Sequence, residues 1–235
     1  MRQLPIKGLQ KTSLVDFPGK ICATVFLGGC NFRCGYCYNK ELVLETNKAQ
    51  NISEEEVLAF LQKRKNVLDG VCITGGEPTI HEGLPSFIQK AKTMGVAVKL
   101  DTNGTNPSMI GLLLDHRSLD YVAMDIKAPL WKYGMVTPGI VYKNAIQETI
   151  QLLLKNLCHY EFRTTLVPGI TTEEDIREIR TLVSGAKKFA IQQFKPTKTH
   201  LDQALGKEKP FSEEKVLAMK QILEKTIPEV EVRGL

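Results

Sequence analysis

The sequence predicts an α/β fold, a partial (β/α)6 barrel in a single domain that spans residues 1–235. Apolar, β-branched runs bounded by Gly, Pro, Asn or Asp alternate with segments of helical period, the pattern of strand-helix units in a parallel sheet. Six such units make an incomplete relative of the eight-stranded barrel. The chain has 235 residues and 43% hydrophobic content, enough for one such core and too little for two.

The predicted elements follow one another in regular order. Strands are expected at residues 21–27, 71–74, 97–101, 121–125, 161–167 and 189–194, with a short further strand at 230–232. Helices are expected at residues 53–65, 84–94, 107–114, 143–156, 172–183 and 211–225. Two helices carry start signals, because Ser53 precedes Glu56 at the capping-box spacing and Thr172 precedes three acidic residues.

Unusual polar segments follow the ends of the predicted strands. In barrels of this kind the functional site forms where strands end and the next loops begin. In chain order the segments are residues 30–37, 75–79, 101–104 and 125–127, then Arg163 within the fifth strand, and Gln192 and Gln193 at the end of the sixth. Because all of them fall at one rim of the barrel, we expect a single site there.

Cys30, Cys34 and Cys37 form a C-x3-C-x2-C pattern, three thiols within eight residues. Thiolates select soft metals, and a structural zinc normally has four protein ligands. A fourth ligand is not evident, because the other cysteines stand singly in apolar runs, where burial is expected, and the histidines lack ligand spacing; these cysteines are Cys22, Cys72 and Cys158. A 4Fe–4S cluster held by three cysteines, with one iron open, fits better. A zinc-binding interaction module is the alternative.

The spacing C-x3-C-x-aromatic-C, with Tyr36 as the aromatic residue, resembles the signature of the radical S-adenosylmethionine (SAM) superfamily. The resemblance covers nearly the whole chain and is closest to the activating proteins of anaerobic ribonucleoside-triphosphate reductase, a glycyl-radical enzyme. The motifs that carry it are VDFPGK, TGGEPT, DTNG, MDIKAP and QQFKP, in that order. It implies a radical SAM-type barrel, a 4Fe–4S cluster, and SAM cleaved to a 5′-deoxyadenosyl radical that installs a glycyl radical on a partner enzyme.

The same resemblance implies how SAM is held. Gly75, Gly76 and Glu77 are expected to receive its amino group, because residues without a Cβ allow close approach to the backbone. Lys127 and Arg163 are expected to neutralise its methionyl carboxylate. These residues position SAM and are not acid-base catalysts, since the cluster and SAM generate the radical.

Further contacts are expected around the nucleoside. Asp101, Thr102 and Asn103 suit the ribose hydroxyls, with capping of the following helix as the alternative. The resemblance also implies that Asp101 and Thr102, with Asp125, border a monovalent cation beside SAM.

The adenine is expected to lie against Tyr36 and the turn at residues 167–170. At the end of the sixth strand the sequence has Gln193 instead of an obvious histidine, which leaves one contact with SAM undefined. Since the chain has no ferredoxin-like cysteine insert, an auxiliary cluster is not expected.

The formal net charge of +5 is unevenly placed. Residues 1–40 contain six basic residues and one acidic residue, whereas the rest of the chain holds 25 of each. A basic collar around the cysteine loop would attract an acidic electron donor, expected to be flavodoxin- or ferredoxin-like. Nucleic-acid binding is not expected, because the basic residues are dispersed and not interleaved with aromatic residues.

We expect a cytoplasmic protein without membrane contact. No apolar stretch is long enough to span a bilayer, and the first residues lack the apolar core of a signal peptide. Cysteines available for metal also fit a reducing compartment.

Other substrates stay open within the same superfamily. One alternative is an enzyme acting on a small molecule, of the deazapurine-forming type, and another is the activation of a different glycyl-radical enzyme such as pyruvate formate-lyase.

Two long loops, residues 128–142 and 195–210, are candidate lids or binding surfaces. In the first loop Trp131, Tyr133 and Tyr142 either contact a partner or cover the barrel edge.

Overall fold

The computed structural model describes residues 3–44, 51–139 and 142–235, and these residues form one sheet of eight strands flanked by helices. The strands are β1 (Ile6–Ser13), β2 (Cys22–Leu27), β3 (Gly70–Gly75), β4 (Ala97–Thr102), β5 (Tyr121–Asp125), β6 (His159–Leu166), β7 (Lys188–Gln193) and β8 (Glu229–Arg233). They lie in the sheet in chain order, and every neighbouring pair from β2 onward is parallel. The predicted partial barrel and its six central strands are confirmed.

The helices connect successive strands. They are α1 (Lys40–Leu44), α2 (Glu54–Arg64), α3 (Leu84–Thr93), α4 (Pro107–Asp115), α5 (Tyr133–Val136), α6 (Lys143–Leu154), α7 (Glu173–Leu182) and α8 (Glu213–Glu224). The short helices α1 and α5 are additions to the prediction, and the other six agree with it to within about two residues at each end. Both start signals are real: the Ser53 side chain accepts from the Glu56 amide, and Thr172 forms a complete capping box with Asp175.

Strand β1 was missed in the sequence. Its residues IKGLQKTS mix Gly and Lys with apolar residues, so the segment shows no clean alternation. The strand pairs antiparallel with β2 at the edge of the sheet, with register shifts on both sides of residues 8–10. The strand is therefore defined by its pairing with a buried neighbour, which a local pattern does not reveal.

The two faces of the sheet differ in character. Val71 and Ile73 of β3 belong to the large apolar core between the sheet and the helices. Cys72, which lies between them, points to the opposite face and joins a small cluster with Phe17 and Tyr121. Next to this cluster the same face carries Thr74, Lys99 and Asp101, so part of the inside of the partial barrel is polar.

Residues 140 and 141 of the first long loop lie outside the described residues. Among the helices that the structure describes, none combines the length and apolar content needed to cross a membrane.

Candidate functional site

The cysteine loop, residues 28–39, joins β2 to α1. Its cysteines form no disulfide; Cys34 is buried, and Cys30 and Cys37 are half-buried. Since Leu27 at the end of β2 is level with Gly75 at the end of β3, the loop lies beside the GGEP turn. The other single cysteines behave mostly as predicted: Cys22 and Cys72 are buried, but Cys158 is only half-buried.

Asn103 ties the cysteine loop to the end of β4. Its Nδ2 donates to Asn31 Oδ1 across 2.9 Å, and Asn31 Nδ2 donates to Thr105 Oγ1 across 2.7 Å. The amide of Thr105 in turn donates to Asn103 Oδ1. Capping of α4 falls to Asn106, whose side chain accepts from the Met109 amide. Residues 101–103 are therefore available for a role other than capping.

A second segment closes on the cysteine loop from the far end of the chain. The amide of Leu201 donates to the Cys37 carbonyl across 3.0 Å, and the amide of Asp202 donates to the Gly35 carbonyl across 2.8 Å. Buried His200 lies with Nδ1 3.0 Å from the Tyr36 carbonyl. We call residues 200–202 the clasp, because together they hold three consecutive carbonyls of the cysteine loop. The spacing of His200 in the sequence gave no sign of this role.

The thiols suit an iron–sulfur cluster in their chemistry. Burial raises the pKa of Cys30 to about 11 and also raises the pKa of Cys34, while the Lys127 ammonium acts in the opposite direction on both. Among the described residues, no three His, Cys, Asp or Glu side chains already stand in metal-ligand geometry. Three thiols on one loop are nevertheless the soft donor set that such clusters take, so the residues present fit the group in their chemistry.

Gly75 and Gly76 allow the chain to approach itself closely. Gly75 has φ +117°, and a Cβ there would lie 2.4 Å from the Leu27 backbone. A Cβ on Gly76 would lie 1.8 Å from the Gly29 carbonyl oxygen, and the Glu77 amide donates to that same oxygen across 2.8 Å. Glycine was expected here for the approach of a ligand. The structure gives a further reason, which is that the GGEP turn is fitted against the start of the cysteine loop.

Glu77 joins the GGEP turn to the DTNG segment. Its side chain is 1% exposed and accepts from the Thr79 amide and hydroxyl, the Thr102 hydroxyl and the Asn103 amide. Burial raises its pKa above the ordinary value, although these hydrogen bonds oppose the rise. The carboxylate thus fixes two loops relative to each other before any ligand binds.

Five charged side chains form a continuous ion-pair network across the inner face of the sheet. Arg163 lies at its centre, donating through Nε to Asp125 Oδ1 across 2.8 Å and through one terminal nitrogen to Asp101 Oδ2 across 3.2 Å. Lys127 donates to Asp125 Oδ2 across 3.0 Å, and Lys99 contacts Asp101 Oδ1. The structure therefore brings together four residues predicted for the site and adds Lys99, which had not been singled out.

The side chains of this ion-pair network are ionised. Burial opposes ionisation, yet Arg163 and its neighbouring lysines hold the pKa values of Asp101 and Asp125 below the ordinary value. The carboxylates likewise keep the pKa of Lys127 well above its ordinary value despite burial. Three cations and two anions leave an excess of one positive charge at the rim, which suits an anionic group of a ligand.

Tyr36 and Gln193 each bury a polar atom that has no hydrogen-bond partner in the described part of the chain. The Tyr36 hydroxyl lies where Cys34 and Lys127 influence its pKa, which burial raises well above the ordinary value. Gln193 donates to the Phe211 carbonyl across 2.7 Å, and its Oε1 is the unpartnered atom. Because buried polar atoms normally have partners, both mark places where a bound ligand or cluster can supply one.

The first long loop covers the cysteine loop. Tyr133 is fully buried, its hydroxyl accepts from the Lys127 amide, and its ring packs 6.2 Å from that of Phe32. A contact of Tyr133 with a partner protein is therefore excluded. Tyr142 packs on the same Phe32 ring, whereas Trp131 is 58% exposed and donates to Glu178.

The turn at residues 167–170 is joined to that long loop. Val167 is buried, and the Ile170 carbonyl accepts from Lys132 Nζ across 2.5 Å. The same ammonium donates to Asp175 at the start of α7. The turn is therefore held in place by its neighbours.

The basic collar is only partly where it was expected. Lys11 lies near the end of β1 and Lys20 in the turn before β2, at the end of β2 opposite the cysteine loop. Arg33 and Lys40 lie in and just after that loop, and Lys7 packs against Gly28 at its start. Arg33 is exposed while donating to the Cys30 and Phe32 carbonyls. The positive charge at the site is therefore smaller than the sequence suggested.

Comparisons with known proteins agree with this geometry. A family model described as the radical SAM superfamily matches residues 24–183. A protein of Methanocaldococcus jannaschii, named as a candidate glycyl-radical enzyme activating enzyme, is 36% identical over 98% of this chain and 96% of its own. The pyruvate formate-lyase 1-activating enzyme of Escherichia coli is 24% identical over 93% of this chain and 94% of its own.

A solved structure supports the fold. Streptococcus suis SuiB bound to S-adenosylmethionine superposes with a TM-score of 0.68 at 13% identity. The match covers 87% of this chain, which spans about half (48%) of SuiB. The chain belongs to the radical SAM superfamily and is an enzyme that works with a 4Fe–4S cluster and S-adenosylmethionine.

Proposed function

We propose that this enzyme installs a glycyl radical on a partner enzyme and that the partner is the anaerobic ribonucleoside-triphosphate reductase. The observation that carries the activation step is the 36% identity, over nearly both full lengths, to a relative named for that activity. The choice of partner is supported by the VDFPGK, TGGEPT, DTNG, MDIKAP and QQFKP motifs. Pyruvate formate-lyase is the second candidate partner, because its activating enzyme aligns over 93% of the chain.

When bound, the cluster and SAM supply a 5′-deoxyadenosyl radical. In this proposal Cys30, Cys34 and Cys37 hold the cluster. The residues of the chain position SAM and exclude water from the reacting atoms.

In this proposal SAM lies along the rim between the cysteine loop and the ion-pair network. Its methionyl carboxylate lies toward Lys127 and Arg163, because these two cations together with Lys99 exceed Asp101 and Asp125 by one positive charge. Its amino group lies toward the backbone of residues 75–77, since four donors already surround the Glu77 carboxylate. Its ribose lies toward the DTNG segment, and its adenine toward the residues 167–170 turn.

The electron donor is proposed to be flavodoxin- or ferredoxin-like and to approach the exposed side of the cysteine loop. Arg33 is exposed there, and Lys40 lies at the start of α1. A small acidic protein would be attracted to these cations.

Electron paramagnetic resonance tests the proposal. The anaerobically reconstituted enzyme is incubated with SAM, a reductant and the anaerobic reductase, and in parallel with pyruvate formate-lyase. We expect a glycyl-radical signal on the reductase, and none when the Cys34→Ala variant replaces the enzyme. A signal on pyruvate formate-lyase alone would transfer the assignment to that partner, and no signal on either would overturn it.

A further inference from the structure

Lys99 is a buried cation within β4, two residues before Asp101. Its side chain is 3% exposed, and its ammonium contacts Asp101 Oδ1 and lies 3.7 Å from Cys72 Sγ. The ring centre of Tyr121 is 6.0 Å away. An ammonium is rarely taken out of water in this way unless it is paired with a carboxylate that needs it.

The Asp101 carboxylate lies between two cations, of which Lys99 contacts Oδ1. Arg163 contacts the other oxygen of the Asp101 carboxylate, so Asp101 has a cation on each side.

The oxygens around Asp101 are those that a hard metal cation would otherwise use. Thr74 Oγ1 lies 3.1 Å from Asp101 Oδ2, and Asp125 is bridged to the same carboxylate by Arg163. Carboxylate and hydroxyl oxygens are the donors that hard cations prefer. Here the positive charge is supplied by a side chain instead.

We propose that the Lys99 ammonium is a built-in cation, which replaces a dissociable monovalent cation beside the SAM site. The enzyme then needs neither K⁺ nor Na⁺ to order the DTNG segment or to bind SAM. The SAM part of this inference rests on the proposed placement of SAM, whereas the part that concerns the DTNG segment depends only on the ion pairs described above.

The test compares the wild-type chain with Lys99→Ala in KCl, NaCl and choline chloride at equal ionic strength. The melting temperature is measured without cluster or SAM, and the SAM dissociation constant is measured on reconstituted protein. For the wild type we expect both quantities to be the same in all three salts. For Lys99→Ala we expect the melting temperature in choline to fall by on the order of 10 °C, and K⁺ or Na⁺ to restore part of the loss.

Lys92→Ala is the matched control. It removes a lysine that donates to both oxygens of Asp120 outside the site, at 2.8 and 3.0 Å. Its melting temperature is expected not to respond to K⁺ or Na⁺. A wild type that needs K⁺ or Na⁺, or a Lys99→Ala variant that is indifferent to them, would overturn the proposal.

If Lys99→Ala does not fold in any salt, the wild-type SAM titration decides, with a constant dissociation constant supporting the proposal and a salt-specific one contradicting it. A missing glycyl radical on the partner would remove the proposed function but leave the melting comparison intact, so the two failures are distinguishable.

Discussion

Asp125 and Arg163 face each other in the register of β5 and β6, and Arg163 Nε donates to Asp125 Oδ1 across 2.8 Å. The same guanidinium reaches Asp101 at the end of β4. One side chain therefore connects carboxylates from two neighbouring strands, a geometry suited to the planar, multi-donor guanidinium and not to a lysine.

Replacing Arg163 by Met leaves each of these two buried carboxylates with one cation. We expect the free energy of unfolding to fall by about 3–5 kcal/mol, because breaking a buried pair leaves charge uncompensated. We also expect SAM affinity to fall at least about tenfold. Denaturant titration and equilibrium dialysis measure the two effects.

Arg177→Met is the control for that substitution. Its guanidinium is 46% exposed and pairs with Glu173 and Glu174 on the surface of α7. We expect a loss below about 1 kcal/mol. Equal losses of unfolding free energy in the two variants would show that the ion-pair network has no special importance for stability.

The acid stability of the fold depends on Asp125. Burial opposes its ionisation, but Arg163 and Lys127 hold its pKa below the ordinary 3.8. A carboxyl whose pKa is lower in the folded chain stabilises the fold above its unfolded pKa, and this contribution is lost as the pH falls through the folded pKa. We therefore expect it to be fully present above about pH 5 and to decline below about pH 4.

Unfolding measurements at a series of pH values check this expectation. The Asp125→Asn variant is expected to be less stable at neutral pH and to lose less stability on acidification than the wild type. Parallel acid profiles for the two proteins would contradict it.

Gly76→Ala tests the fit between the GGEP turn and the cysteine loop. The new Cβ would overlap the Gly29 carbonyl oxygen, so one of the two backbones must move. We expect lower stability and reduced iron loading, measured by thermal unfolding and iron analysis. Gly111→Ala in α4 is the control, because its Cβ meets only Leu152 at 3.8 Å, and it is expected to raise stability by up to about 1 kcal/mol. Similar behaviour of the two variants would rule out the close approach as the cause.

His200→Ala tests the clasp. Without the imidazole between the Tyr36 and Lys195 carbonyls, we expect faster hydrogen exchange of the Leu201 and Asp202 amides. Hydrogen-exchange mass spectrometry of peptides covering residues 199–203 measures this. Exposed His116 is the matched control and is expected to leave that exchange unchanged on substitution by Ala. Unaltered exchange in His200→Ala would mean that the clasp holds without its histidine.

Much of the fold follows from local patterns. The strands of the parallel core are short apolar runs with turn residues at their ends, and six of the helices have a clear period or cap, as at Ser53 and Thr172. Strand β1 lacks such a pattern and depends on pairing with β2. The rim location of the site was also predictable, because parallel strands end at one edge.

The internal connections of the site were not predictable in the same way. Lys99 does have a signal in the sequence, since it lies two residues before Asp101 and so on the same face of the predicted strand. The clasp has none, because it pairs residues 35–37 with residues 200–202, and His200 is 164 residues from Tyr36 in the chain. The partners of Glu77 are likewise set by how two loops meet, which depends on the assembled sheet.

In the proposed site Cys30, Cys34 and Cys37 hold the cluster that cleaves SAM. The most direct measurement is 5′-deoxyadenosine release under dithionite, with iron and sulfide analysis, for anaerobically reconstituted wild type, Cys34→Ala and Cys158→Ala. We expect iron, sulfide and release of 5′-deoxyadenosine in the wild type, loss of release in Cys34→Ala, and release near the wild-type level in Cys158→Ala. A colourless protein with one zinc and no 5′-deoxyadenosine, or equal loss in both variants, would contradict it.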